Sequence, residues 1–173
     1  MKHTHEIDFE NVHLRPLKEE DIESLRQWRN DPSNTLYLNK IPYITPEMQK
    51  KWFEKYLVND DEMCFAVVEN KELNRLVGSL SLYRFQSDEC FFGKILIGDA
   101  EAHSRKIGLN ATIATTRIAF DQLQKKCVKL FVFADHQVAC KVYSKAGFRV
   151  IDEHENNCGR KEFTMSKEKD GEK

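Results

Sequence analysis

The chain has 173 residues, with 40% hydrophobic and 32% charged side chains, which fits one folded domain and excludes collagenous and disordered classes. Lys+Arg number 27 and Asp+Glu 28, a net charge of −1, so no global field favours nucleic acid or an anionic membrane, and neither is an expected partner. Apolar runs such as Phe65-Ala66-Val67-Val68 fall far short of the roughly 20 residues that span a bilayer.

Residues 1–6 carry no apolar segment of a secretion signal. Cys64, Cys90, Cys127, Cys140 and Cys158 form no C-x-x-C pair, so reduced thiols and a cytoplasmic location are expected. His154 and Cys158 stand four apart without a second half-site, so no metal is expected.

In chain order, Val12-His13-Leu14-Arg15 alternates as a strand ending near Pro16. Ile22, Leu25, Trp28 and Arg29 then follow helical spacing until Asn30-Asp31-Pro32. Thr45-Pro46 marks a second helix start, with Thr45 as cap and proline in the first turn, and that helix runs through Trp52 to about Leu57. Strands are expected over 63–68 and 76–83, joined by a turn at 70–74, and over 90–97. The last is nearly continuous in apolar residues and reads as buried on both faces. A long helix over 107–125 turns Ala111, Ala114, Ile118 and Phe120 inward. A strand over 128–134, a short helix over 138–146 stopped by Gly147, and an antiparallel pair over 148–152 and 160–165 complete the order. Three successive strands and then a strand–helix–strand unit require a mixed α/β (α+β), mostly antiparallel sheet of about seven strands with helices on both faces. One domain over 1–166 is expected, with a charged tail over 167–173.

Two segments hold the chemistry. In the first, a buried strand ending Ile95-Leu96-Ile97-Gly98-Asp99 leads through a short loop into the long helix at Ile107. The first amides of a helix lack partners and carry a partial positive charge, which suits a diphosphate. Arg105 and Lys106 add cations there, and Gly108 permits close backbone approach. The same spacing also fits a capped helix with a solvated basic turn. In the second segment, Ala139, Val142 and Tyr143 share the inner face of the short helix. A buried tyrosine there reads as a core aromatic whose hydroxyl needs a partner.

Together these segments resemble motifs A and B of the GNAT superfamily of acyl-CoA-dependent N-acetyltransferases. His103-Ser104-Arg105-Lys106-Ile107-Gly108 stands where that family has [Arg/Gln]-x-x-Gly-x-Gly/Ala, and His136-Gln137-Val138-Ala139 through Tyr143 to Gly147-Phe148 where it has Asn-x-x-Ala-x-x-x-Tyr-x-x-x-Gly-Phe. Leu14-Arg15-Pro16-Leu17, Trp28-Arg29-Asn30-Asp31 and Ile44-Thr45-Pro46-Glu47 are similar to the branch that acetylates ribosomal-protein N-termini and amino sugars. The resemblance spans about residues 12–165.

It implies acetyl-CoA as co-substrate, with its pantetheine arm against the backbone near Leu96 and Ile97. Its diphosphate would lie against the amides of Arg105, Lys106, Ile107, Gly108 and Leu109, with His103 leading that loop. Tyr143 would protonate the departing thiolate, Lys141 would approach the outer part of the cofactor, and His136 stands where the family places a cofactor-bonding asparagine. A backbone N–H near Ile97 would meet the developing oxyanion. Lys106 in place of glycine and His136 in place of asparagine bear on cofactor affinity.

The branch often carries a glutamate on the central strand; this chain has Phe92 there. Glu89, with Asp88 beside it, is a candidate base, and both also read as solvated strand-end carboxylates. Acceptor recognition is expected among Trp28, Arg29, Tyr37 and Trp52, within a stretch that holds both tryptophans; Arg29 could meet an anion on the acceptor or serve a structural ion pair. The expected activity is acetyl transfer to a primary amine, either a small molecule such as an amino-sugar nucleotide or a protein N-terminus, by a monomer or homodimer. A non-catalytic acyl-CoA-binding regulatory domain is the alternative.

Overall fold

The computed structural model describes residues 2–37 and 41–169. Strand β1 (Ile7–Phe9) and strand β2 (Val12–Pro16) precede helices α1 (Ile22–Asn30) and α2 (Pro46–Leu57). Strands β3 (Glu62–Glu69), β4 (Arg75–Tyr83) and β5 (Glu89–Ile97) follow, and then helix α3 (Ile107–Arg117), which continues as a π turn over Ile118–Gln122. Strand β6 (Cys127–Phe133), helix α4 (Gln137–Lys145), and strands β7 (Arg149–Glu155) and β8 (Lys161–Glu168) end the described chain.

The eight strands form one mixed sheet in the order β1-β2-β3-β4-β5-β6-β8-β7. Every neighbour is antiparallel except β5 and β6, whose parallel pairing is bridged by α3. On one face α3 and α4 pack Ile107, Ala111, Ala114, Ile118 and Tyr143 onto Leu80, Leu82, Phe92, Leu130 and Met165. On the other, α1 and α2 pack Ile22, Leu25, Phe53 and Tyr56 onto Cys64 and Ala66 of β3.

Local chemistry explains the boundaries. The Thr45 side chain accepts from the Met48 amide and caps α2, with Pro46 in its first turn. Arg15 forms a bidentate pair with the buried Asp21, at 2.7 and 2.8 Å, and so ties β2 to the entry of α1. Glu69 accepts from the amides of Lys71, Glu72 and Leu73 and closes the β3–β4 turn.

Three sequence expectations change. There are eight strands; the additional β1 is a three-residue edge hairpin made by Glu10 at φ 53°, too short to show an alternating pattern. Strand β5 is not buried on both faces: Phe92 and Leu96 are buried, while Phe91, Ile95 and Ile97 remain partly exposed. The α1–α2 layer covers β3, and beyond β4 the same face carries Phe91, Phe131 and Phe133, none fully buried. Strand β8 also extends through Glu168, which pairs with Cys127, so the start of the expected tail is sheet; residues 170–173 of that tail lie outside the described residues.

Gly98 ends β5 under the Trp28 indole. A Cβ built on Gly98 would lie 2.1 Å from Trp28 Cγ, so the helix–strand contact requires glycine there. Gly98→Ala is expected to lower unfolding free energy by about 1–3 kcal/mol through overpacking, read by denaturant melting; an unchanged midpoint would contradict this contact.

Candidate active site

Strands β5 and β6 pair only over Glu89–Phe91 against Cys127–Lys129. Beyond Phe91, β5 bulges at Lys94, a non-glycine residue at φ 53°, and its register with β4 shifts between Ser79 and Ser81. The two parallel strands therefore diverge. The opening is a cleft of about 550 Å³ walled by Leu96 and Ile97 on β5, Val132 on β6, Gly108 and Thr112 on α3, and Tyr143 on α4. With β6 turned away, the β5 backbone groups aimed toward it beyond Phe91 have no partner strand. The Ile97 carbonyl is one of them, and His103 Nε2 lies 3.1 Å from it.

The loop after β5 is anchored on its far side. Asp99 accepts from the Glu101 amide and pairs with Arg75 at 2.8 Å. Arg105 pairs with Glu72 on the β3–β4 turn, and its carbonyl accepts from Asn11. Its guanidinium is thus held at the hairpin, outside the cleft lining. Lys106 is exposed and caps α3 at φ 60°, in the left-handed region where the family motif has glycine. Ile107 is buried beneath the helix, and Leu109 packs at the edge of the core. Gly108 faces the cleft, and a Cβ added to it meets no atom within 4 Å.

Tyr143 enters from the opposite side. Its ring is 8% exposed and packs edge-on against Phe92 at 5.9 Å and against Phe148 at 6.2 Å. Phe92 therefore supports the tyrosine ring. The Tyr143 hydroxyl makes no hydrogen bond among the described residues, and burial pushes its pKa above the ordinary phenol range. At neutral pH it carries a proton to donate.

At the start of α4, His136 stacks on Tyr37 with ring centroids 3.7 Å apart and planes 7° from parallel. Its Nδ1 is buried without a partner, and burial lowers its pKa, so the ring is neutral at neutral pH. Tyr37 belongs to the α1–α2 connection. Two hydrogen bonds between Asn30 and the Ile44 backbone, at 2.9 and 2.8 Å, close the base of that connection, and Asn34 reaches the Gly98 carbonyl. Residues 38–40, inside the expected acceptor stretch, lie outside the described residues.

The cleft lining thus gathers Leu96, Ile97, His103, Gly108, His136, Tyr143 and Tyr37. Trp28 lies at its edge over Gly98. Arg29 is half-buried with no hydrogen bond or ion pair among the described residues, and burial lowers its pKa. Trp52 stacks on Tyr56 at 5.8 Å on α2, outside the lining. Lys141 is exposed on α4. Glu89 is held by Lys129 at 2.7 Å at the start of β5, also outside the lining. Sequence reasoning did not single out Lys94, Thr112 or Glu162, which do line the cleft. Lys94 is paired with Glu62 at 2.6 Å. Only the Gly93-Lys94 bulge had a possible sequence signal, a glycine within a strand.

The unpaired wall of β5, the open space above Gly108 at the head of α3, and the unpartnered tyrosine hydroxyl suit a long thioester-bearing cofactor such as acetyl-CoA. Among the described residues, no three His, Cys, Asp or Glu side chains gather as a metal cage, and no helix is long and apolar enough to cross a membrane.

The comparisons with known proteins agree with this geometry. A family model described as an acetyltransferase (GNAT) domain matches residues 11–149, most of the chain, and the chain belongs to that family. Among curated relatives, acetyltransferase PseH of Campylobacter jejuni (strain 81-176) is 24% identical over 137 residues, covering 79% of this chain and 82% of that protein. Among solved structures, spermidine N-acetyltransferase from Vibrio cholerae in complex with CoA and spermine superposes with a TM-score of 0.80 at 17% identity, over 91% of this chain and 95% of that one. Apo FdhC, a nucleotide-linked sugar GNAT, gives a TM-score of 0.79 at 16% identity, over 95% and 90%. At such identities these structures share the fold.

A left-handed non-glycine residue costs roughly 1–2 kcal/mol, partly offset by the greater freedom of glycine when unfolded. Lys106→Gly is therefore expected to raise unfolding stability by up to about 1 kcal/mol in denaturant melts. A loss of stability would show that the Lys106 side chain holds the loop.

Proposed function

We propose that the chain is an acetyl-CoA-dependent N-acetyltransferase that moves an acetyl group to a primary amine by direct attack. The observation that carries this reading is the protonated, unpartnered Tyr143 hydroxyl in a cleft between splayed parallel strands. The amine nitrogen forms the new C–N bond at the thioester carbonyl, the C–S bond breaks, and the sulfur takes the Tyr143 proton. A thiolate with a reference pKa near 8.5 is a far better leaving group once protonated by a phenol held in place. Backbone groups near Leu96 and Ile97 would orient the pantetheine arm, and the first amides of α3, at Ile107, Gly108 and Leu109, would hold the diphosphate. The neutral His136 and the exposed Lys141 would border the outer part of the cofactor.

A small-molecule amine carrying anionic groups, such as an amino-sugar nucleotide, is the preferred acceptor, ahead of a protein N-terminus. Two cations over aromatic rings support this preference. The Arg84 guanidinium lies within 6 Å of the Tyr83, Phe91 and Phe131 rings, and that of Arg160 lies 3.9 Å from Phe133. Both border a second opening beside the first, which Glu155 and Glu162 also line; Arg160 is held by Asp135 at 2.9 Å, and Arg84, without an ion pair among the described residues, is the cation there that could meet a phosphate or carboxylate. Arg29 offers a further cation with no partner among the described residues. The V. cholerae neighbour is a spermidine N-acetyltransferase and FdhC a nucleotide-linked sugar GNAT; Arg84 supports the second acceptor type, while Glu155 and Glu162 in the same lining would meet the ammonium of either.

Thiol release from acetyl-CoA, measured with spermidine, an amino-sugar nucleotide and a free peptide N-terminus, tests the reading. Turnover of at least one amine is expected; tight acetyl-CoA binding without turnover of any would instead favour a non-catalytic acyl-CoA-binding domain. Tyr143→Phe is expected to lower kcat by about 100-fold or more while acetyl-CoA affinity stays within twofold. Undiminished turnover would remove Tyr143 from the chemistry. Gly108→Leu places a good helix former where the cleft is open, so acetyl-CoA affinity should fall at least about tenfold without loss of thermal stability. Unchanged affinity would argue against a diphosphate at the head of α3.

A further inference from the structure

Amine transfer leaves one question that Tyr143 does not answer. A primary amine is mostly protonated at pH 7, and its nitrogen must lose a proton before it can attack. Phe92 stands where the branch often has a carboxylate, and Glu89 is held by Lys129 away from the cleft.

The geometry points to Glu162 on β8 as the group that takes this proton, with His154 behind it as the exit toward solvent; the inference rests on the transfer reading above. Among the described residues, Glu162 is the one carboxylate in the lining that also includes Tyr143, Leu96 and Ile97. It also lines the neighbouring opening of about 1030 Å³ bordered by Arg84 and Arg160, and so stands where the two spaces meet. A cationic amine entering from the acceptor side would reach this carboxylate next to the thioester.

Sheet register fixes the position. Glu162 pairs with Phe133 of β6 on one side and His154 of β7 on the other, so all three side chains share one face. His154 Nε2 lies 3.4 Å from Glu162 Oε2, and its Nδ1 lies 3.5 Å from Asp152 Oδ2. The imidazole, edge-on to Phe131 at 6.0 Å, therefore lies between the half-buried Glu162 and the exposed Asp152, within ion-pair distance of both but hydrogen-bonded to neither, its Nδ1 buried without a partner. Of the other nearby carboxylates, Glu62 is held by Lys94 at 2.6 Å and Asp135 by Arg160 at 2.9 Å, while Glu155 lines only the second opening and not the cleft that includes Tyr143. Glu162 has only the imidazole within ion-pair distance among the described residues. The charged and titratable groups around it are Asp152, His154 and Glu155 from β7, Tyr83 from β4 and Arg84 just after it, Lys94 from β5, Cys158 and Arg160 from the turn before β8, His103 from the loop before α3, Tyr37 from the α1–α2 connection, and His136 and Tyr143 at α4.

The protons balance. The ammonium gives one proton to the Glu162 carboxylate, and the freed lone pair forms the C–N bond as the C–S bond breaks. The sulfur takes the phenolic proton of Tyr143, and the second proton shed by the nitrogen makes up that loss. The proton on Glu162 passes to His154 and out to water, leaving an amide, a thiol and one released proton, with no change of oxidation state.

The test compares wild type, Glu162→Gln and Glu162→Asp by thiol release with acetyl-CoA and the best amine among spermidine, an amino-sugar nucleotide and a free peptide N-terminus, from pH 6.5 to 10. At pH 7, Glu162→Gln should lower kcat/KM by about 100-fold or more, with acetyl-CoA affinity and melting temperature unchanged. The deficit should shrink below about tenfold as the pH approaches the amine's own pKa, where solvent supplies the free base, and Glu162→Asp should retain an intermediate rate. Wild-type turnover in Glu162→Gln, or a deficit constant across pH, would overturn the assignment while leaving the transfer reading intact. Failure of wild type to acetylate any amine would overturn both.

Discussion

The architecture depends on one constraint: β5 and β6 run parallel for three residue pairs and then part. A parallel pair in an otherwise antiparallel sheet needs a helical crossover, and α3 supplies it, so its amino end is delivered to the mouth of the gap. The bulge at Lys94 turns β5 away from β6 while its pairing with β4 resumes at Leu96. The gap thus has one wall of unpaired backbone, one end with free helix amides, and a floor made by α4. Removing the divergence would close the ladder and leave Tyr143 as an ordinary core aromatic against Phe92 and Phe148.

What surrounds the gap follows from the different cover on the two sheet faces. The face under α3 and α4 is a continuous apolar core, which holds Tyr143 in a dry setting and keeps its hydroxyl protonated. The opposite face is covered by α1 and α2 over β3, whereas Phe91, Phe131 and Phe133 remain partly open beneath Arg84 and Arg160. On the proposed reading, cofactor and acceptor would approach the same opening from opposite faces. Asn30 is pinned to the Ile44 backbone, and Ser33, Asn34, Leu36 and Tyr37 border the opening, with Tyr37 laid on His136.

Much of this was legible in the residues. Thr45-Pro46, Gly147 and the strand–helix–strand unit each encode a local preference strong enough to survive tertiary packing, and the mixed sheet followed from their order. The apolar run of β5 was misread for a physical reason. Hydrophobic residues that line a cleft for a partly apolar ligand have the same composition as residues buried on both faces, and only the divergence from β6 separates the two cases. Edge strand β1 was too short for periodicity to register. At the site, a basic dipeptide read as two cations beside the helix amides resolves into two roles: Arg105 braces the hairpin through Glu72, while Lys106 supplies a left-handed cap. Glu162 had no local signature, because its position comes from register across three strands and not from any neighbour in sequence.

The most direct measurement is a crystal structure of the chain with acetyl-CoA bound. The account requires the diphosphate on the backbone amides that open α3, the pantetheine arm alongside β5 at Leu96 and Ile97, and the sulfur within hydrogen-bonding reach of the Tyr143 oxygen. A cofactor seated elsewhere, or a sulfur facing away from that oxygen, would contradict it.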